Sequence, residues 1–113
     1  MRAIPKQLLV HTAVLYRIQT EDAWGHEELD DGTELRYVRM KYSGKVVRDK
    51  NNAEIQLAAV LFYDCRNSSP KNVEFQVDDI IVFNGEQFRV QTVELFTDEK
   101  HVHHYEMGLV KHA

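Results

Sequence analysis

The sequence predicts an all-β fold, a small antiparallel β-barrel or sandwich of about six strands with two long loops. Apolar residues recur mostly at every second position, which is the side-chain spacing of a strand. Asn84-Gly85 separates two β-rich segments, and this pair favours a tight hairpin turn. There is no long helical pattern and no internal repeat. Strands joined by hairpins, without crossover helices, are typical of an antiparallel sandwich or barrel.

The predicted strands follow one another with polar segments between them. They are residues 8–18, 36–42, 55–65, 80–83, 88–95 and 101–110. In the first strand, the even positions from Val10 to Ile18 form one face that is rich in β-branched and aromatic residues. The third contains Ala58-Ala59, which leaves a helix open near its start, but the residues that follow favour a buried strand.

Two polar segments, residues 19–34 and 43–54, are predicted to be the long loops. Both contain glycine or asparagine breakers and few apolar residues. Long loops in a compact domain are usually functional or disordered, so we expect the function to lie there and on the flat faces of the sheet.

Length and composition favour one folded domain that spans residues 1–113. The hydrophobic fraction of 43% and the charged fraction of 28% are ordinary for a globular protein and exclude a disordered chain. The formal net charge of −4 suits a nucleic-acid backbone poorly, because such binding rewards dense lysine and arginine. It does suit a surface past which DNA slides without sticking.

The compartment is expected to be the cytoplasm, with no membrane partner. Cys65 is the only cysteine, so the fold does not depend on an internal disulfide. The N-terminal residues lack the apolar stretch of a signal peptide, and no apolar run approaches the ~20 residues that span a bilayer.

A histidine-rich segment near the C-terminus is the main candidate for a metal site. On a regular strand His101 and His103 share one face, while His104 lies on the other. A zinc or nickel site would need a further ligand such as His26 or Asp98. The simpler expectation is a solvated or interface strand with ordinary hydrogen bonds, and therefore no metal and no cofactor.

The remaining motifs give no support for catalysis. The acidic cluster at Asp30 and Asp31 lacks the ligand spacing and the flanking helices of an EF-hand, so it is expected to be a solvated loop. Cys65 lies in an apolar run, where a thiol is usually inert. No nucleophile elbow and no phosphate-binding glycine loop is present in the sequence. We therefore expect a protein that is not an enzyme.

Charged loops of opposite sign predict contacts with other protein chains. Trp24 lies in the acidic loop, where a large aromatic residue either folds back on its own core or anchors a partner. The basic residues of the second loop balance the acidic first loop, within the chain or on a neighbour. The predicted contact residues are Trp24, Glu27, Glu28, Asp30, Asp31, Lys45, Arg48 and Lys50.

Several segments, taken in order, resemble the minor capsid proteins of tailed phages and prophages of Gram-positive bacteria. They are Ile4-Pro5-Lys6-Gln7-Leu8-Leu9 with His11 and Tyr16, Trp24-Gly25, Leu61-Phe62-Tyr63-Asp64, Asn67-Ser68, Ile80-Ile81-Val82-Phe83 with Gly85 and Phe88-Arg89-Val90, His103-His104-Tyr105-Glu106, and Leu109-Val110. The resemblance covers most of the chain and is least specific between Lys45 and Asn52.

This resemblance implies a structural subunit at the junction of phage head and tail. Related head-completion and stopper proteins are small β-barrels that form rings on the portal around the DNA channel. The implied partners are identical copies, portal or adaptor proteins, tail-side neck proteins, and double-stranded DNA that passes without sequence-specific binding. The implied location is the host cytoplasm during assembly and then the virion. The family supplies no catalytic residues.

Two other classes of function remain open from the sequence. A barrel-type nucleic-acid-binding module would use Tyr37 and Tyr42 for stacking, with Arg39 and Lys41 beside them. A metal-dependent enzyme would use the C-terminal histidines.

Overall fold

Six antiparallel strands close into a barrel in the computed structural model, which describes residues 3–21, 24, 27–98 and 101–112. In chain order the strands are β1 (His11–Tyr16), β2 (Ile18–Glu21), β3 (Glu27–Leu29), β4 (Thr33–Tyr42), β5 (Val46–Arg48), β6 (Glu54–Gln56), β7 (Ala59–Asp64), β8 (Ile80–Phe83), β9 (Glu86–Thr97) and β10 (Val102–Lys111). The order around the barrel is β1-β4-β7-β10-β9-β8, and β8 closes on β1. The predicted all-β fold is confirmed, and it is a barrel rather than a sandwich.

Both segments predicted as long loops leave the barrel as excursions with a two-stranded sheet, but the predicted bounds were wrong. The strand predicted over residues 55–65 is divided between β6 and β7, and β4 begins at Thr33, inside the loop predicted over 19–34. β2 pairs with β3, and β5 pairs with β6. The sequence pattern did not predict these strands, because each is only three or four residues long and its few apolar residues, such as Val47 and its partner Ile55, are too few to show a period.

The barrel interior is filled by large apolar side chains. Leu35, Leu61, Phe88, Val90 and Met107 are each 0% exposed. Burial of an aliphatic or aromatic side chain of this size contributes about 1.5–3 kcal/mol, so this layer supplies most of the drive to fold.

The first barrel strand shows which of its two faces is the core face. Ala13 and Leu15 of β1 are buried, whereas Val10, just before the strand, is 65% exposed and Thr12 is exposed. The β-branched even face therefore points outward, and the smaller odd face points into the barrel.

The predicted turn at Asn84-Gly85 is confirmed. Asn84 has φ 50° and Gly85 has φ 76°, the positive values that a tight hairpin turn requires at both central residues. The turn joins β8 to β9, in which Phe83 pairs with Glu86. β9 continues well beyond β8 and pairs with β10 along most of its length.

A glycine in β10 allows the β5–β6 hairpin to lie against the outside of the barrel. Leu57, which follows β6, is 4% exposed and packs on Gly108. A Cβ atom at Gly108 would lie 2.9 Å from Leu57 Cδ1 and 2.5 Å from Thr92 Oγ1. The Leu57 amide donates to the Lys45 carbonyl at 2.8 Å, which fixes the base of the hairpin.

The buried carboxylate of Asp64 ties the N-terminal segment to the end of β7. Asp64 is 0% exposed, and its Oδ2 accepts a hydrogen bond from the Ile4 amide at 2.8 Å. Its Oδ1 accepts from the amides of Arg66 at 2.9 Å and Asn67 at 2.8 Å. The Asn67 side chain returns a hydrogen bond to the Ile4 carbonyl at 2.7 Å.

We predict that Asp64→Ala lowers the free energy of unfolding by about 2–4 kcal/mol, because three backbone amides lose a charged acceptor at a buried position. Urea unfolding followed by circular dichroism measures the change. The control is Glu86→Ala, which removes an exposed carboxylate and is expected to shift stability by less than about 0.5 kcal/mol. Equal effects of the two variants would contradict the role given to Asp64.

We predict that Gly108→Ala destabilises the fold by about 1–3 kcal/mol, because the added methyl group displaces Leu57 and Thr92. Thermal unfolding measures the loss. Gly44→Ala is the matched control, since its Cβ would meet only the flexible Gln56 side chain, at 3.1 Å. The packing argument fails if Gly44→Ala costs as much as Gly108→Ala.

Candidate interaction surfaces

The β2–β3 hairpin, which we call the acidic arm (residues 18–31), presents Trp24 at its tip. Trp24 is 85% exposed, so the alternative in which it folds back onto its own core is not the one that the structure adopts. The arm contains six acidic residues and neither lysine nor arginine. It therefore carries an exposed aromatic ring on a strongly negative segment.

The base of the acidic arm is closed by Asp30. Its Oδ1 accepts hydrogen bonds from the amides of Arg17 at 3.1 Å and Gly32 at 3.0 Å. Gly32 has φ +83°, and a Cβ atom there would lie 2.6 Å from the Tyr16 ring. Asp30, predicted as a contact residue, thus has a structural task in holding the arm to the barrel.

An ion pair beneath the arm fixes the point at which β1 leaves the barrel. The Arg17 guanidinium donates from Nε to Asp79 Oδ1 and from a terminal nitrogen to Asp79 Oδ2, both at 3.3 Å. Asp79 is 3% exposed and also accepts from the Gln76 amide at 2.8 Å. The hydrogen bond to Asp79 raises the pKa of Arg17 above its ordinary value, so this cation is permanent.

The other predicted acidic contact residues face solvent where the structure describes them. Glu28 is exposed and accepts a hydrogen bond from Thr20 Oγ1 at 2.9 Å. Asp31 is exposed. The side chain of Glu27 lies outside the described residues.

The basic residues of the β5–β6 hairpin differ in how they are held. Arg48 donates to the Asn52 carbonyl at 2.9 Å and to Glu54 Oε1 at 3.2 Å, so its charge is partly balanced within its own hairpin. Lys45 and Lys50 are exposed. They are therefore the better candidates for a contact with another chain.

The two hairpins leave the barrel at opposite ends. Neighbouring barrel strands are antiparallel throughout, so chain direction reverses from β1 to β4 and again from β4 to β7. The acidic arm connects β1 to β4, and the β5–β6 hairpin connects β4 to β7. The structure therefore separates the two predicted groups of contact residues instead of joining them into one site.

The sequence did not predict a shallow groove on the outer wall, where β1 pairs with β4. Its volume is about 310 Å³, and its lining includes Val10, Thr12, Arg36 and Tyr37. Arg36 pairs with Thr12 whereas Val38 pairs with His11, so Tyr37 is the extra residue of a β-bulge.

Several contacts hold the bulge in shape. Tyr37 has φ 55°, a conformation that bulky residues rarely adopt. Its carbonyl accepts a hydrogen bond from the Ser68 hydroxyl, and Arg36 exchanges two backbone hydrogen bonds with Ser69, at 2.8 and 3.0 Å. The Lys6 ammonium lies 4.5 Å from the centre of the Tyr37 ring. No local signal in the sequence marks this bulge, because its partners come from distant segments.

The C-terminal histidines are arranged differently from the prediction. A bulge in β10 between Val102 and His104 breaks the alternation, and the His103 and His104 rings lie 4.8 Å apart. His104 Nδ1 is 2.6 Å from His103 Nδ1, and its Nε2 is 2.9 Å from Glu106 Oε2. His104 also stacks on Phe96 at 4.6 Å. The predicted opposite-face placement of His103 and His104 was wrong, because the bulge adds a residue.

The proposed metal site is not assembled by the residues that the structure describes. His101 precedes β10 and lies 3.8 Å from Asp98, and His26 falls outside the described residues. Within the described ranges, no three side chains among histidine, cysteine, aspartate and glutamate are grouped to hold a metal ion.

Cys65 lies beside an aromatic cluster and is poorly disposed to react. Burial raises the pKa of its thiol, and the neighbouring Asp64 carboxylate raises it further. Burial also raises the pKa of the Tyr63 and Tyr105 hydroxyls. The three groups thus favour their neutral forms, which suits packing rather than proton transfer.

Across residues 3–21, 24, 27–98 and 101–112, the structure contains no helix with the length and apolar character needed to cross a bilayer.

Comparison with known proteins gives one family match and one structural match. A family model described as "Minor capsid protein" matches residues 5–109. Protein xkdH of the phage-like element PBSX from Bacillus subtilis has a solved structure that aligns with a TM-score of 0.44 and 11% identity. The alignment covers 89% of this chain and 92% of that one. No curated protein sequence matches the chain.

Proposed function

Because this chain belongs to the minor capsid protein family, we propose that it is a ring-forming subunit of the junction between the phage head and tail. The predicted family resemblance is confirmed, and it supports a structural role in a phage particle. The position at the junction and the ring are the further steps of the proposal.

The observation that carries the proposal is a closed barrel from whose opposite ends two hairpins of unlike charge leave. The acidic arm has six acidic residues and no lysine or arginine, whereas residues 43–56 have three basic and two acidic residues. Where the barrel closes, each of its six strands has two neighbours, although β9 continues beyond β8 and pairs there with β10 alone among the described strands. The closed part therefore offers little free edge for strand-to-strand pairing. Contacts with other chains then fall to the projecting hairpins. A subunit whose two ends differ in charge presents a different surface to each of two unlike partners, which suits a position between two layers of the junction.

The difference between the two ends of the subunit indicates the partners that we propose. One end of the barrel faces a portal or adaptor ring, the other faces the tail-side neck proteins, and copies of the chain lie side by side. Double-stranded DNA passes through the ring without sequence-specific contacts, which the net charge of −4 favours. The subunit is made in the host cytoplasm and then resides in the virion. The proposal assigns it no catalytic residue, cofactor or membrane partner.

Within this proposal, some of the predicted contact residues touch other chains and others mainly hold their own hairpin in shape. Trp24, Glu27, Glu28 and Asp31 belong to the arm, and Lys45 and Lys50 belong to the opposite end. Asp30 and Arg48 contribute mainly by shaping their hairpins, through the hydrogen bonds to Arg17 and Gly32 in one case and to Asn52 and Glu54 in the other.

One observation favours a second candidate function, a nucleic-acid-binding module. Tyr37 and Tyr42 of β4 are 45% and 56% exposed, and Lys41 beside Tyr42 is exposed too. Exposed aromatic rings near cations are the usual elements of single-strand binding. A salt-dependent mobility shift with a single-stranded oligonucleotide, abolished by Tyr42→Ala, would support this function.

We predict that deletion of this gene from its phage yields heads and tails that do not join, and that a plasmid copy restores joining. Electron microscopy of lysates counts the joined particles. Lys50→Glu in the plasmid copy is expected to lower that count about tenfold, because it reverses the charge at one end. Arg48 is left in place, because its loss would also break the contacts to Asn52 and Glu54.

The matched control is Lys71→Glu, which makes the same change at an exposed lysine outside both hairpins. Normal joining by particles that lack the protein would overturn the proposed function. Equal counts for the Lys50 and Lys71 variants would remove the basic hairpin from the contact while leaving the junction role in place.

A further inference from the structure

We propose that Trp24 of one copy docks into the groove between β1 and β4 of a second copy, and that this contact links neighbours in the ring. The inference rests on the proposed function, since it names the contact by which that ring closes. Three observations support it. Trp24 is an exposed anchor, the groove between β1 and β4 can act as its receptor, and the charges of the arm and of the groove surroundings are opposite in sign.

The anchor is a side chain whose exposure costs free energy unless a partner covers it. Trp24 is 85% exposed at the tip of the arm. A buried tryptophan supplies a large contact area at a small cost in side-chain entropy, and this residue type dominates interface energetics. An arm that carries one tryptophan among charged residues has the composition of a docking segment.

The receptor is large enough for one aromatic side chain. The groove has a volume of about 310 Å³. Pockets that hold small ligands have volumes of about 300–1,000 Å³, so the groove lies at the lower end of that range. Val10 and Tyr37 offer it apolar surface, since they are 65% and 45% exposed. Docking of the arm would cover these side chains and the indole together.

The backbone of the receptor is held in a costly conformation. Tyr37 keeps φ 55° only because Ser68 and Ser69 bond to the bulge. The bulge turns an aromatic ring outward into the groove wall, and Lys6 lies 4.5 Å from that ring. β-Bulges commonly redirect a side chain beside a functional site. Residues with an unfavourable backbone conformation also cluster at functional sites.

The charges of the arm and of the groove are complementary. The arm carries six acidic residues without a compensating lysine or arginine. Around the groove lie the cations Lys6, Arg36 and Arg39. Within the part of the chain that the structure describes, Arg36 pairs with the Glu34 carboxylate of the groove lining, Lys6 lies on the Tyr37 ring, and Arg39 donates to the Leu8 carbonyl. This imbalance favours an acidic occupant and steers the arm of a second copy to the site.

The contact is made between copies, because the arm does not cover the groove of its own chain. Trp24 keeps 85% of its surface exposed, and Val10 keeps 65%. An arm from one copy in the groove of the next is a heterologous contact, which propagates around a ring.

The fluorescence of Trp24 tests the inference directly, because it is the only tryptophan in the sequence. We expect its emission maximum to move to shorter wavelength as the concentration of the full chain rises and the indole leaves water. Thr12→Glu places a negative charge in the groove and is expected to raise the concentration at the midpoint of this shift about tenfold or more, equivalent to about 1.4 kcal/mol.

Thr97→Glu is the matched control, since Thr97 is also an exposed strand threonine but lies outside the groove, at the barrel end from which the arm leaves. Circular dichroism checks that both variants fold. The inference is overturned if the emission does not move with concentration, or if both variants move it as the parent chain does.

A photo-crosslink locates the contact independently. With p-benzoylphenylalanine at Trp24, and an equal mixture of copies with and without ¹⁵N, we expect mixed-label products that map to residues 9–12 or 34–37. Products confined to one copy, or to other segments, would exclude the groove. If the protein is found at the junction but these tests fail, only the docking contact is lost; if the protein is absent from particles, the proposed function fails.

Discussion

A single buried carboxylate, that of Asp64, organises the side of the barrel that carries the groove. It accepts hydrogen bonds from the amides of Ile4, Arg66 and Asn67, and so joins the N-terminal segment to the turn after β7. The Asp64 amide in turn donates to the Ser68 hydroxyl at 2.8 Å. That hydroxyl donates to the carbonyl of Tyr37, so the bulge of β4 depends on the same cluster. Removal of a charged acceptor from such a network leaves three part-buried backbone donors without their partner, which is why the network acts as a unit.

The closed barrel determines where other chains make contact. Its core is filled by apolar side chains, and each barrel strand has two neighbours where the barrel closes, so the closed part offers little open edge to a partner. What remains is the outer wall, the acidic arm and the β5–β6 hairpin. The hairpins are held in different ways: Asp30 closes the base of one, and Leu57 on Gly108 fixes the other to the wall. Rigid bases under exposed tips suit segments that reach other subunits.

Local signals in the sequence identified some elements of this fold and missed others. The turn at Asn84-Gly85 was predictable because both residues tolerate positive φ, a purely local property. The histidines were placed wrongly because the alternation of a strand holds only in the absence of a bulge, and the bulge near His103 is defined by pairing with β9. The hairpins at 19–34 and 43–54 were missed as strands because each of their strands is only three or four residues long. Paired apolar residues such as Ile18–Leu29 and Val47–Ile55 are too few to show an alternation. For Trp24 the sequence left open whether it packs on its own core or contacts a partner, and the structure shows that the side chain is exposed.

By itself the sequence determined the all-β class, the number of barrel strands and the segments that project, because strand periodicity and turn chemistry are local. It also carried the motifs that the family match over residues 5–109 supports. Only the tertiary structure decided that the sheet closes, that Ala13 and Leu15 face inward, and that the charged hairpins lie at opposite ends. It alone revealed the groove, since Tyr37 is turned outward by Ser68 and Ser69, more than thirty positions away. Contacts between segments so distant in the chain depend on closure of the barrel, and no local pattern encodes them.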